Sequence, residues 1–201
     1  MTYTRVRQMM IFIAVALLLV VSVRAEEFTF KVKPGKPNEV KFISKAPLET
    51  IEGITNDISG SVTVDPANAD LKTAGEFEVQ MATIDTDNSI RNGHMRDNHL
   101  QTDKYPTSSF EMKSIEGLDD GMLPDGKPVN FRIKGQFTLH GVTKEISPEI
   151  TALWNSTNKS LKVTAKFNVL LQDYDIPRPQ FLFMKLAVEQ KVEINFTAYA
   201  K

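Results

Sequence analysis

The sequence predicts an all-β protein with about eight strands, several of them long. Two segments carry this prediction, because Val129 to His140 and Leu161 to Leu171 both alternate between apolar and polar side chains. A period of two residues is typical of a half-buried strand, whereas an amphipathic helix repeats every 3.6 residues. A twelve-residue strand is about 40 Å long, and a second sheet or closure of the same sheet must cover its apolar face.

Shorter alternating stretches predict the other strands. In chain order they are Phe28 to Val32, Val40 to Phe42, Ile58 to Val64, Phe77 to Met81, Phe110 to Met112, Ile146 to Trp154 and Val192 to Phe196. The turn at Pro34-Gly35 predicts that the first two form a hairpin. Because Pro148 has no N–H for a ladder, its strand is predicted to lie at an edge or to carry a bulge.

A polar segment interrupts this series between Asp85 and Lys104. Its only large apolar side chains are Ile90, Met95 and Leu100. We expect a long loop here, with one helical turn around residues 96–100.

Strands of this length favour a closed sheet, because long exposed edges invite aggregation. Gly60, Gly75 and Gly135 lie within or beside strands, where a barrel wall needs sharp coiling. The pattern therefore predicts an up-and-down antiparallel barrel, and a two-sheet sandwich is the alternative.

The N-terminus has the features of a signal peptide. Arg5 and Arg7 precede an apolar run from Met9 to Val23, and the small residue Ala25 fits the position before a cleavage site. An uncleaved membrane anchor is the alternative, but about 15 apolar residues are short for a span that needs roughly 20. We expect residues 1–25 to be removed and residues 26–201 to form one exported domain.

The net charge and the absence of cysteine argue against several kinds of partner and modification. The 201-residue chain has 24 basic and 25 acidic side chains. Loss of Arg5, Arg7 and Arg24 with the signal peptide leaves 21 against 25, a net charge of −4, which argues against nucleic acid as a partner. The chain has no cysteine, so an exported product lacks disulfides and a thiol for lipidation.

The inward face of the predicted barrel is apolar. It comprises Phe77, Val79, Met81, Phe131, Ile133, Phe137, Leu139, Phe167, Val169, Val192 and Ile194. An eight-stranded barrel is either filled by such side chains or just wide enough for one ligand, and alternation cannot separate the two. Any ligand inside must be apolar over most of its length.

The polar segment offers two weaker hypotheses. His94, Asp97, His99 and Asp103 are candidate metal ligands, but histidines five residues apart do not share a helix face.

Asp85, Asp87 and His94 are a candidate acid–base set, and a hydrolase is hypothesised to use Asp87, His94 and His99. No nucleophile elbow, phosphate loop or cofactor motif accompanies them. The sequence therefore predicts no enzyme, no metal and no cofactor. His140, just before a turn, is predicted to lie on the surface.

Three blocks of sequence resemble the YceI-like family of bacterial polyisoprenoid-binding proteins. The first runs from Arg96 to Leu100 and continues through Lys104-Tyr105-Pro106 to Phe110. The second is Lys134 to Lys144, and the third is Phe167 to Asp173 followed by the final strand.

The resemblance implies a lipocalin-like extended barrel that is exported to the periplasm and often dimeric. It also implies an isoprenoid or other long-chain amphiphile in the interior, such as a polyprenyl chain, a quinone tail or a fatty acid derivative. The matched positions that would contact it are Phe110, Phe137, Leu139, Phe167 and Val169, so Phe110 joins the predicted ligand-binding set. An envelope or stress protein with a filled core, acting through its surface, is the alternative.

Overall fold

The computed structural model describes residues 26–70, 73–181 and 184–200, so the predicted signal peptide, residues 1–25, lies outside the described residues. Most of these residues form antiparallel strands. The strands are β1 (Phe28–Val32), β2 (Glu39–Lys45), β3 (Thr50–Thr55), β4 (Ile58–Val64), β5 (Ala74–Gln80), β6 (Thr107–Glu116), β7 (Pro128–Leu139), β8 (Val142–Ile146), β9 (Glu149–Asn155), β10 (Ser160–Leu170), β11 (Gln180–Phe181), β12 (Met184–Lys185) and β13 (Glu189–Ala200).

Helical structure is short. Helix α1 (Ser89–His94) continues into a π-helical turn, Met95–Leu100. Among the described residues, 3₁₀ turns occur at Met81–Thr83, Asp119–Gly121 and Leu171–Tyr174. Within the described ranges, no helix is long and apolar enough to cross a membrane.

Eight strands close a barrel in the order β1, β4, β5, β6, β7, β9, β10 and β13. The barrel closes where β1 pairs with the end of β13, through Phe30 opposite Ala200 and Lys31 opposite Tyr199. This confirms the predicted barrel over the sandwich. The inward faces of β7 and β10 are the apolar faces that alternation predicts.

Strand β13 has a second partner at the other end of the barrel. Its residues 191–195 pair with β2, and β2 pairs with β3, so these two strands extend the wall there. The outer edge of β3 is tied to the polar segment, because Ile54 and Asp85 exchange two backbone hydrogen bonds of 2.8 and 2.9 Å. We call the end formed by β2, β3, β8 and α1 the upper end.

The lower half of the barrel has a conventional core. Phe30 is fully buried, Trp154 is 6% exposed, and their rings meet edge to face with centroids 5.3 Å apart. Phe28 packs on both rings. Side chains from both sides of the barrel therefore close its lower end.

The predicted hairpin between β1 and β2 is wrong. Instead, β1 pairs with β4 and β13, whereas β2 pairs with β3 and β13. The turn at Pro34-Gly35 is real, but the chain passes from one neighbour of β13 to another along the same long strand.

Strand β3 was absent from the predicted series. Its inward position Gly53 lies beneath the ring of Phe42, and a Cβ there would collide with that ring. An apolar face that includes a glycine gives little alternation. The packing on Phe42 requires a glycine, and the glycine removes one apolar side chain from the alternating pattern that would have predicted the strand.

The stretch from Ile146 to Trp154 is two strands rather than one. The ladder breaks at Ser147-Pro148, so that β8 pairs with the upper part of β7 and β9 with its lower part. The missing N–H of Pro148 explains the break. The helical turn predicted around residues 96–100 is the end of a longer helical segment that starts at Ser89.

Candidate ligand-binding chamber

The upper half of the barrel encloses a cavity of about 730 Å³, which we call the upper chamber. Its size lies within the range of about 300–1,000 Å³ that is usual for small-molecule sites. Its walls are inward side chains of β2, β5, β7, β10 and β13 and the turn after β5. These include Val40, Phe42, Val79, Met81, Phe137, Leu139, Phe167, Val169, Val192 and Ile194.

A smaller apolar cavity of about 110 Å³, the lower chamber, lies beneath it. Its lining includes Phe77, Phe110, Phe131 and Ile133. All twelve residues of the predicted ligand-binding set therefore line one chamber or the other. Their role in binding remains a prediction.

Partial exposure of several inward side chains reflects the chamber. Phe137, Phe167 and Val192 point into the barrel but are only half-buried, whereas Phe30 and Ile58 in the lower core are at most 1% exposed. Apolar side chains that line an unfilled cavity remain partly accessible to a solvent-sized molecule. The barrel is thus filled in its lower part and open in its upper part, an arrangement that the two sequence-based alternatives did not include.

The mouth of the upper chamber lies between the β2–β3 turn and α1. Two large apolar side chains there are exposed, Leu48 at 83% and Ile90 at 72%. Polar side chains also line the chamber here, namely Glu49, Arg91 and His94. The Arg91 guanidinium lies 3.5 Å from the Glu49 carboxylate. The site therefore combines apolar walls with a polar rim.

Hydrogen bonds fix the polar segment as a cover beside this mouth. Asn92 is 8% exposed, and its amide donates to Asp85 Oδ1 at 2.7 Å. Its Oδ1 accepts from both the backbone N–H and the hydroxyl of Thr86, at 2.9 and 2.7 Å. Arg91 donates to the Thr86 hydroxyl and carbonyl. Met95 and Leu100 pack beneath, against the upper core cluster.

These bonds also shift the acidity of Asp85. The hydrogen bond from Asn92 is the main cause that lowers the pKa of the Asp85 carboxyl, and the backbone N–H of Asp87 adds to it. Both stabilise the ionised form. The Asp85 carboxylate therefore holds the loop in shape, which differs from the acid–base role considered above.

The candidate metal ligands are dispersed. Asp97 and Asp103 are exposed to solvent, and the Nδ1–H of His99 donates to the Pro177 carbonyl at 3.0 Å. Among the residues that the structure describes, no group of three His, Cys, Asp or Glu side chains could hold a metal ion.

The first two sequence blocks meet at the β7–β8 turn. His140 and Gly141 both have positive φ, 53° and 76°, as a two-residue hairpin turn requires. The Tyr105 ring packs on the His140 ring with centroids 4.4 Å apart. A Cβ on Gly141 would lie 2.5 Å from Cε1 of Tyr105. The turn thus needs both its backbone conformation and a bare glycine.

His140 is buried, at 9% exposure, so the prediction that it lies on the surface is wrong. Its left-handed backbone rotates the side chain out of the alternation of β7 and against Tyr105. Its Nδ1–H donates to the Tyr174 carbonyl at 3.0 Å, which ties the turn to the residue that directly follows Asp173 of the third block. Tyr174 is itself buried, and burial raises the pKa of its phenol.

Comparison with known proteins decides the family. The model of the YceI-like domain matches residues 30–200. The chain belongs to the YceI-like family. A UPF0312 protein of Vibrio parahaemolyticus is 28% identical over 189 residues, which cover 88% of this chain and 93% of that protein.

Solved structures share the YceI-like fold. A polyisoprenoid-binding domain from Saccharophagus degradans superposes with a TM-score of 0.67 at 14% identity, covering 88% of this chain and 100% of that one. Burkholderia cenocepacia BcnA superposes with a TM-score of 0.66 at 16% identity, covering 80% of this chain and 95% of that one. At identities this low, the superpositions establish a common fold.

Proposed function

We propose that this protein is an exported carrier that binds the hydrocarbon part of a long-chain amphiphile in the upper chamber. The ligand classes are a polyisoprenoid, a quinone with an isoprenoid tail, or a fatty acid derivative. One observation carries the proposal: apolar side chains from five strands surround about 730 Å³ of unfilled space that opens at a polar rim. A protein without a ligand gains nothing from leaving so much apolar surface unpacked.

The energetics favour a chain-like ligand. Each methylene transferred from water gains about 0.8 kcal/mol, so ten buried methylenes gain about 8 kcal/mol, which corresponds to micromolar binding before entropic costs. A chain need not be wholly enclosed to bind well. The Phe, Val, Leu and Ile side chains of the walls offer apolar contacts along its length.

The rim suits a polar head group. Arg91 and His94 line the chamber at the mouth, where the His94 side chain is exposed to solvent. A head group at the mouth keeps its hydration while the chain is buried, so the amphiphile does not lose hydrogen bonds. We therefore place the head between the β2–β3 turn and α1.

Export completes the proposal. Residues 1–25 act as a cleaved signal peptide, and residues 26–201 work in the periplasm as one binding domain without enzymatic activity. The Saccharophagus degradans domain of the same fold is described as polyisoprenoid-binding. That description supports the ligand class proposed for this chain.

Thermal unfolding of the delipidated mature protein tests the function. At a free ligand concentration 100 times Kd, stabilisation is about 2.7 kcal/mol, which raises the Tm of a domain of this size by about 5 to 10 °C. We expect this rise with prenyl alcohols of four or five isoprene units and little with a two-unit alcohol. An unchanged Tm with prenyl alcohols, quinones and fatty acids alike would favour the filled-core alternative.

A further inference from the structure

A ring of side chains separates the two chambers of the barrel. Its members line both cavities and come from five different strands, β5, β6, β7, β10 and β13. They are Val79, Ser108, Phe137, Phe167 and Ile194. The ring marks the depth at which the open interior narrows into the packed core.

Two aromatic rings dominate this boundary. Phe137 and Phe167 meet edge to face, with centroids 5.3 Å apart and planes at 73°. Phe137 makes a second edge-to-face contact with Tyr174, at 5.5 Å. Tyr174 is 3% exposed, so Phe137 packs against a buried neighbour. A ligand chain that reaches this depth meets rings that are already packed.

The space beneath the ring is small and closed at its base. The lower chamber holds about 110 Å³, and Phe77 packs on Phe196 in its wall with centroids 5.2 Å apart. Below it lie Phe30 and Trp154. A chain that passed the ring could advance only a short distance.

The volumes of the two chambers indicate how long a ligand chain the barrel can enclose. At roughly 30 Å³ for a group the size of a water molecule, the 730 Å³ of the upper chamber holds about 24 carbon atoms, or about five isoprene units. The lower chamber brings the total to 730 plus 110, or 840 Å³, enough for about one further unit.

We propose that Phe137 and Phe167 form a stop that limits the enclosed ligand chain to about five isoprene units. This inference rests on the proposed function of the upper chamber. It adds a chain-length preference and names the two side chains that set it. Longer chains leave their excess carbons outside the mouth and gain no further affinity from them.

Binding of a length series to the delipidated mature protein tests the stop. The probes are prenyl alcohols of two to nine isoprene units, each measured by displacement of a fluorescent fatty acid. For the native sequence we expect affinity to increase with each unit up to about five and then to level off. In the double variant Phe137→Leu/Phe167→Leu the increase should continue, so that the six-unit alcohol binds at least about tenfold more tightly than it binds the native sequence.

Two matched variants control for the loss of aromatic rings. Phe42→Leu removes the same atoms from the upper chamber away from the ring, and Phe77→Leu removes them from the lower chamber. Because both residues line a chamber, each variant should change the affinity for all the alcohols, but the chain length at which affinity levels off should stay as in the native sequence. Circular dichroism establishes that each variant is folded, and Phe167→Leu alone replaces the double variant if that one does not fold.

The outcomes separate the two claims. If the native protein binds neither the fluorescent fatty acid nor an alcohol of any length, the proposed function is wrong. If it binds them but the limit is the same in the ring variants, or moves equally in Phe42→Leu, the function stands and the stop is wrong.

Discussion

The rings of Tyr105 and His140 pack with their centroids 4.4 Å apart and join two segments that lie 35 residues apart in the chain. Tyr105 follows the cover of the chamber, and His140 directly follows β7. The hydrogen bond from His140 to the Tyr174 carbonyl adds the third sequence block to the same junction. The three blocks that resemble the family are thus one structural unit at the upper end of the barrel.

This junction predicts that Gly141→Ala is strongly destabilising. The residue has a φ of 76°, and the added Cβ would lie 2.5 Å from the Tyr105 ring. Strain and collision together should lower the free energy of unfolding by about 2 to 4 kcal/mol, measured by urea denaturation. Gly117→Ala is the matched control, because its φ is 72° but no atom lies within 4 Å of the new Cβ. A similar loss in both variants would show that the Tyr105 contact is unimportant.

A charge in the upper chamber should abolish ligand retention. Phe137→Asp places a carboxylate among apolar walls, where burial beside a hydrocarbon chain is unfavourable. The variant should remain folded, since Phe137 is only half-buried and faces the open chamber, but it should copurify without lipid. Thr138→Asp, on the outward face of the same strand, should retain lipid like the native sequence. Equal retention by Phe137→Asp and Thr138→Asp would argue against ligand binding in this chamber.

The filled and open halves of the barrel should respond differently to truncation. Ile58 is 1% exposed in the lower core, and Ile58→Ala should cost about 4 kcal/mol because it leaves a cavity. Ile194 is half-buried and faces the chambers, so Ile194→Ala should cost only about 2 kcal/mol. Urea denaturation of the delipidated proteins measures both. Equal costs would indicate that the upper half is as tightly packed as the lower.

The lowered pKa of Asp85 predicts a pH-dependent contribution to stability. The hydrogen bond from Asn92 favours the ionised carboxylate in the folded state. That contribution is fully present above the unfolded pKa of about 3.9, and it is lost as the pH falls through the lower folded value. Asp85→Asn should therefore be less stable than the native sequence at pH near 7, and the difference should shrink below about pH 4. A difference that stays constant on acidification would contradict this assignment.

The sequence predicted the walls of the site better than its entrance. Alternation in β7 and β10 placed Phe137, Leu139, Phe167 and Val169 inside, because a period of two fixes which face a side chain joins. It could not show whether those side chains meet across the barrel. That depends on barrel dimensions and on long-range pairing, which local periodicity does not encode.

The sequence did not predict that the polar segment between Asp85 and Lys104 covers the chamber, for a different reason. Its side chains are polar, and they are ordered by contacts such as Asn92 with Asp85 and Thr86 rather than by an apolar face. Ile90, Met95 and Leu100 were the only large apolar side chains that could indicate packing of this segment against the rest of the protein. The incorrect prediction of a hairpin between β1 and β2 has a similar origin. A turn signal cannot show that both strands pair with β13 and not with each other.

Native mass spectrometry of the protein purified from its natural host tests the central claim most directly. We expect the polypeptide mass plus one bound species, which organic extraction should identify as a single long-chain amphiphile. A bare polypeptide mass, unchanged after incubation with prenyl alcohols, quinones and fatty acids, would contradict the proposal that the upper chamber is a ligand site.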